Sequence, residues 1–329
     1  MAHTLDRRTF FLSLTGMAGT LLTTDFSLAA AELASKPMPT RILGRTNERV
    51  SALGLGTAPM GHAYIGEDKA VPIIHAALDQ GIRYIDTARI YDDAESYIGK
   101  VAPSRRDEMF LVTKVWADSA SKAEENLTTS LKTLGVDHVD LCHIHCLGNR
   151  DPEKVLADDG TLAYLLKAKE KGLTRFIGAT GHHNIPNFPA VLDTGLIDVL
   201  MVGLNFVDHH IYKFHETVIP LAKKHGMGIV AMKVFGGRMK MDDQHFFAGY
   251  KTPGPAQMPK ELLEEALRYC LNLDGVTTAL AGVYNRDEIL EDARWAKEYM
   301  PMTSSEIAAA EEKGKDMAPG WGPRFGSPA

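Results

Sequence analysis

Residues 81–91 read Gly-Ile-Arg-Tyr-Ile-Asp-Thr-Ala-Arg-Ile-Tyr. The first half has the pattern of a short buried strand, with Ile82, Tyr84 and Ile85 between a helix-ending glycine and a polar break. The second half sets a carboxylate, Asp86, and a phenol, Tyr91, five residues apart just past that strand's carboxyl end. Two later apolar runs also end on a titratable side chain. Leu111-Val112-Thr113 leads to Lys114, and residues 139–144 lead to His145. If the three strands are parallel neighbours, Asp86, Tyr91, Lys114 and His145 meet at one rim.

Outward from this stretch the chain alternates strand and helix patterns. Strands are expected at 53–57, 84–86, 110–114, 139–144, 176–180, 199–202, 229–233 and 278–281. Between them, apolar residues recur at three- and four-residue spacing, as in Leu127, Leu131 and Leu134. Gly81, Gly135, Gly172 and Gly226 follow helical runs and precede strands, the place for a left-handed cap. Eight such units predict an α/β fold, a closed (β/α)8 TIM barrel. Residues 41–53 turn through polar side chains and predict an amino-terminal β-hairpin. An open doubly wound sheet is the runner-up. It is disfavoured because Gly54-Leu55-Gly56 lacks the third glycine of a dinucleotide fingerprint. Residues 234–259 form a long loop rich in Gly, Pro and Met, expected as a lid-like insertion. The Gly/Pro-rich stretch from residue 319 is expected to lack regular structure and to drape over the barrel or fray.

The bulk numbers agree with a soluble globular enzyme: 329 residues, 45% hydrophobic, 24% charged. A formal charge of −6, with no basic block, argues against a nucleic-acid partner. Cys142 and Cys146 would lie roughly 13 Å apart on an extended strand, beyond the ~7 Å reach of a disulfide. Free thiols, Cys270 among them, are the expectation, and no metal site is anticipated. Residues 1–31 read as an address rather than as barrel. Asp6-Arg7-Arg8-Thr9-Phe10-Phe11-Leu12 resembles a twin-arginine (Tat) export signal. An apolar run too short and too polar for a permanent membrane anchor follows, with small residues at 29–31. The expectation is a signal peptide at 1–31, the Tat translocase as partner during export, a periplasmic location and a barrel domain at 32–329. Cargo of that route crosses folded, so a cofactor loaded in the cytoplasm is expected to travel with the protein and remain tightly bound.

The four-residue set suits protonation of an oxygen. A free phenol has a pKa of ~10, and a neighbouring ammonium is expected to lower it. Asp86 would hold Lys114 charged, and His145 would donate a hydrogen bond to a substrate carbonyl. Singly, each has a plainer reading: a helix cap, packing, a solvated strand end, a core histidine. His143 competes with His145 for the last role. Jointly they point to carbonyl reduction of a small aldehyde, ketone or sugar, or to the reverse alcohol oxidation. The alternative is a nucleotide-binding regulatory barrel without turnover.

The stretch 81–91, Val112-Thr113-Lys114 and residues 140–145 resemble the signatures of the aldo-keto reductase family, and the likeness runs from about residue 41 to 295. The resemblance implies a (β/α)8 barrel, an NADP or NAD cofactor, and Asp86, Tyr91, Lys114 and His145 as the catalytic tetrad. It selects His145 over His143. It also places Gly56, Thr57 and Asp86 against the cofactor. Thr180-Gly181 stands where many relatives have Ser-Asn on the nicotinamide amide, with His182 as a substitute. Met232 stands at the position of the stacking aromatic, followed by Lys233 and Val234, and Asn205 matches a polar residue nearby. Arg286 lies where NADP users bind the adenosine 2′-phosphate, but Glu288 and Asp292 depart from their pattern. Family frequency leans the choice to NADP. Substrate selection is expected from 59–65, Trp116, 234–259, Trp321 and Phe325.

Overall fold

The computed structural model describes residues 36–62, 65–236 and 258–328. The signal peptide expected at 1–31 and most of the insertion expected at 234–259 lie outside these residues. Strands β1 (Thr40–Ile42) and β2 (Arg49–Ser51) pair antiparallel and form the expected hairpin. Eight further strands follow: β3 (Leu53–Gly56), β4 (Tyr84–Asp86), β5 (Phe110–Val115), β6 (Val139–Ile144), β7 (Thr174–Gly181), β8 (Val199–Gly203), β9 (Gly228–Met232) and β10 (Val276–Gly282). Each is parallel to its neighbours, and β10 returns to β3, so the barrel is closed. Met38–Ala329 forms a single unit.

The longer helices are α1 (Glu67–Asp79), α2 (Ala94–Arg105), α3 (Ala120–Leu134), α4 (Thr161–Glu170), α5 (Val218–Lys224), α6 (Leu263–Asn272), α7 (Arg286–Lys297) and α8 (Ser304–Trp321). Helix α3 shows why they form. Ser119 caps it by accepting from the Lys122 amide. Ala123, Leu127, Leu131 and Leu134 then build one buried stripe, each fully buried leucine contributing about 1.5–3 kcal/mol. Gly135 ends it in the left-handed region at φ 67°, its amide satisfying the Leu131 and Lys132 carbonyls.

Alternation along the strands divides the core in two. Leu53, Leu55, Ile85 and Leu111 face outward into the layer under the helices. Tyr84, Phe110, Val112, Leu141, Val199, Met201, Val230, Met232 and Leu280 fill the barrel interior, and Leu43 and Val50 of the hairpin close its amino-terminal end. Around that end, Asp140 accepts from Arg106 (2.9 Å), Arg175 (2.8 Å) and the Leu111 amide (2.8 Å). Asp198 similarly binds Arg45 (3.2 Å), Lys169 (2.9 Å) and the Ile177 amide (3.0 Å). The same alternation sets Asp86 on the inward face with Tyr84, and Lys114 with Val112, at the opposite end.

The carboxyl-terminal stretch corrects one expectation. Helix α8 continues through Pro319 and Gly320 to Trp321. A capping box between Thr303 and Glu306 starts it, and burial of Trp321 holds the last turn. A proline there forfeits a single helical bond. Beyond it the chain lies on the barrel, where Arg324 grips Asp208 through both nitrogens at 3.0 Å. The Phe325 amide donates to the Tyr212 hydroxyl at 2.8 Å.

Candidate active site

Strand ends at the carboxyl rim bring the expected set together. Lys114 Nζ donates to both Asp86 oxygens, at 2.6 and 2.7 Å, and to the Thr87 carbonyl at 2.7 Å. Both side chains are almost wholly buried. The ammonium also stands 4.8 Å from the centroid of the Tyr91 ring. His145 meets the same ring edge-on, 5.7 Å between centroids. Trp116 meets His145 edge-on at 5.4 Å, and Arg150 covers Trp116 at 4.1 Å. Asp86, Tyr91, Lys114 and His145 therefore form one cluster, and His143 lies one pleat deeper beside Gly178.

Burial governs the charges here. It lowers the Lys114 ammonium from its ordinary value, and the Asp86 carboxylate opposes that loss. His145 is held well below the usual imidazole range by burial and by the Lys114 charge, so it is neutral, with a buried Nδ1 that has no hydrogen-bond partner. Tyr91 departs from expectation. Its phenol is raised well above its ordinary value, first by burial and then by the Asp86 charge. The Lys114 hydrogen bonds go to Asp86 and Thr87, so the ammonium stands near the phenol without donating to it in this state. The phenol thus holds its proton at neutral pH, the state a donor needs.

The positions singled out for a cofactor fall as follows. Thr57 ties β3 to β4, its amide and hydroxyl both donating to the Asp86 carbonyl (3.0 and 2.9 Å). Gly56 lies beside it at the end of β3. The Thr180 hydroxyl accepts from the Cys146 amide at 2.9 Å. An added Cβ at Gly181 would come within 2.2 Å of the Phe188 ring. His182 stacks on Phe325 at 4.6 Å. Asn205 is committed to Asp208, to the Lys233 carbonyl and to two amides, so its amide group is a strut for the β8 and β9 ends. Met232 joins the barrel interior. Lys233 is in the left-handed region at φ 59°, and burial followed by the Arg324 charge pushes its ammonium down to about 8. Val234 next to it is buried. Arg286 is exposed at the start of α7, and Asp292 is buried within that helix. Glu288 accepts from the Tyr284 amide (2.8 Å) and the Asn285 side chain (2.9 Å), which explains an acid there as part of the α7 cap.

These residues fit a nicotinamide ring. Gly203 is the inward-facing terminus of β8, paired with Met232, and is buried. An added Cβ there would find no atom within 4 Å. Open space therefore lies at the rim where the resemblance puts the ring, with the unsatisfied His145 Nδ1 among the buried polar atoms of the same rim.

Sequence reading missed three participants. His62 and Asp92 pair through Nδ1 and Oδ2 at 2.6 Å, with His62 edge-on to Tyr91 at 5.4 Å. Asp92 directly follows Tyr91, which was a readable signal. Asp208 gathers Arg324, Trp321 Nε1 (3.0 Å) and Asn205; nothing in the sequence marked it. All three cysteines are buried. Among the described residues no cluster of three or more His, Cys, Asp or Glu is placed to hold a metal, and no helix is long and apolar enough to cross a membrane.

The chain was compared with known proteins. The family model for the aldo/keto reductase family matches residues 52–251, more than half of the chain. L-galactose dehydrogenase of Arabidopsis thaliana is 25% identical over 318 residues, covering 84% of this chain and 95% of that protein. Methylglyoxal reductase DkgB of Salmonella typhimurium is 30% identical over 218 residues, covering 64% and 76%. Among solved structures, the holo form of aldo-keto reductase AKR11C1 from Bacillus halodurans superposes with a TM-score of 0.67 at 25% identity, covering 84% of this chain and 96% of that one. With the closed barrel and the rim cluster in place, these matches make the chain a member of the aldo-keto reductase family.

Proposed function

We propose that this protein is an exported aldo-keto reductase that reduces small aldehyde, ketone or sugar carbonyls with NAD(P)H, NADP(H) being the preferred form, and also runs the reverse alcohol oxidation. One observation carries the proposal: a protonated phenol, Tyr91, is flanked by the Lys114–Asp86 pair and a neutral imidazole, His145. The cofactor, when bound, supplies hydride to the carbonyl carbon. Tyr91 donates its proton to the carbonyl oxygen as charge develops there. Lys114, held by Asp86 and Thr87, stabilises the phenolate left behind. Neutral His145 donates a hydrogen bond to the same oxygen and fixes the substrate's pose. Trp116 walls the site beside His145. Relatives that carry the names methylglyoxal reductase and L-galactose dehydrogenase support a short, oxygen-rich substrate.

The deciding test is Tyr91→Phe. Carbonyl-dependent NAD(P)H oxidation should fall by about 10²–10⁴-fold, the range of general acid catalysis, with nucleotide affinity retained. Unchanged turnover would sink the proposal, and tight nucleotide binding without turnover in the parent protein would favour a regulatory barrel. Export rests on Arg7-Arg8 and the apolar run behind them. Arg7→Lys with Arg8→Lys should leave the protein in the cytoplasmic fraction. The cofactor is proposed to stay bound after translocation, so denaturing protein from the periplasm should release about one nucleotide per chain; nucleotide-free active protein would refute retention.

A further inference from the structure

Tyr91 has a second imidazole beside it that the mechanism above leaves unused. His62 ends the short helix Ala58–His62 after β3, and its ring stands edge-on to Tyr91 at 5.4 Å, on nearly the same terms as His145 at 5.7 Å. The approach is built into the backbone. A Cβ on Gly61 would come within 1.9 Å of the Tyr91 carbonyl oxygen, so only glycine lets this helix seat itself on Tyr91. From the other side, Asp92 Oδ2 takes His62 Nδ1 at 2.6 Å. Asp92 reaches that position from a left-handed backbone, φ 45°, unusual for a non-glycine residue and of the kind that collects at functional sites. A carboxylate only accepts, so Nδ1 carries the hydrogen and Nε2 is the basic nitrogen of the neutral ring. His62 is mostly buried, whereas the Asp92 side chain is 38% exposed. The pair thus lies between the Tyr91 ring and the partly exposed Asp92 carboxylate.

Resting on the reductase reading, we propose that His62, oriented by Asp92, is a positioning and relay residue that returns a proton from solvent to the Tyr91 phenolate after each reduction. The balance is simple. The carbonyl carbon takes hydride and its oxygen takes the Tyr91 proton. The phenolate then takes a proton from the His62 imidazolium, which is replaced from water beside Asp92. In alcohol oxidation the proton leaves by the same route. Burial lowers the His62 pKa from its ordinary value, Asp92 opposes that fall through its hydrogen bond and charge, and Lys233 adds to it; among the described residues Tyr91 is a further titratable neighbour, backed by Lys114 and Asp86. His145 cannot serve this route in the same way, because burial, Lys114, His182, His143 and Arg150 all hold its ring neutral.

The experiment uses the full-length protein with NADPH and methylglyoxal, comparing parent, His62→Ala, His62→Gln and Asp92→Asn. Asparagine suits the left-handed backbone at 92 and keeps an acceptor while removing the charge. Both His62 variants should lose about tenfold in kcat, below the full range of direct acid catalysis, with KM within about twofold. They should gain a solvent deuterium isotope effect, and added imidazole should restore His62→Ala. In the parent, kcat for reduction should fall as pH rises through the imidazole pKa. In Asp92→Asn that fall should move to lower pH, since the carboxylate raises the pKa. Unchanged kcat in both His62 variants overturns the relay. So does a rise in KM alone, which would make His62 a pocket wall, or a loss that imidazole does not rescue. A parent protein with no turnover, or Tyr91→Phe with full turnover, sinks the reductase reading instead, so the two failures are distinct.

Discussion

The two ends of this barrel handle charge in opposite ways. At the amino-terminal end, Leu43 and Val50 plug the interior, and the buried acids Asp140 and Asp198 each take two basic partners plus a backbone amide. At the carboxyl end, burial holds Lys114, His145, His182 and Lys233 below their usual values and Tyr91 above its own. The same packed barrel thus makes one end a scaffold and moves the titration of the groups at the other away from its values in water. Groups moved by burial toward a task mark functional sites more sharply than ion pairs do.

That contrast can be broken by substitution. Lys114→Met should have the largest effect, leaving Asp86 buried without its counter-charge and costing about 3–5 kcal/mol in urea denaturation. Adding Asp86→Asn should recover much of this. Carbonyl reduction should vanish in both variants. A loss below about 1 kcal/mol would mean that the rim is far wetter than its burial implies. Next comes Leu43→Ala in the plug, at about 2–5 kcal/mol with the specific activity of the folded fraction unchanged. Loss of activity there would show that the two ends are not separable.

Lys233 should sharpen the contrast through pH. Below about 8 its ammonium is charged in folded and unfolded chains alike, and burying that charge weighs against the fold. Between about 8 and the ordinary lysine value of 10.5, the folded chain releases the proton first. The unfolded chain then binds more protons, so stability rises with pH in that window. Urea midpoints at pH 7.5 and 10 should show this rise relative to Lys233→Met, which lacks it. The smallest effect belongs to Arg175→Met at the scaffold end. Its side chain is 42% exposed and Asp140 keeps Arg106, so the change should stay within about 1 kcal/mol.

The site was legible in unequal parts. Asp86, Lys114 and His145 could be found because each ends an apolar run, and a strand end in a barrel has a fixed destination. The partnerships of Thr180 and Asn205 were not legible. Thr180 turns out to hold the Cys146 amide, and Asn205 braces Asp208 and the Lys233 carbonyl. Those contacts span up to 34 residues and depend on loop paths that no periodicity records. The tail was misread at Trp321 because glycine and proline argue against helix locally. A capping box at residue 303 and a buried indole outweighed them.

By itself, the sequence determined the barrel and the rim to which its polar strand ends go. Hydrophobic spacing is set residue by residue, and eight repeated units leave one closed solution. Only the tertiary structure decided the electrostatics. Burial and then the Asp86 charge raise the Tyr91 phenol above its ordinary value, while the nearby ammonium hydrogen-bonds that same carboxylate. It likewise decided that His62 and Asp92, 30 residues apart, meet beside that phenol. Desolvation and pairing depend on what surrounds a group in space, which chain order does not encode.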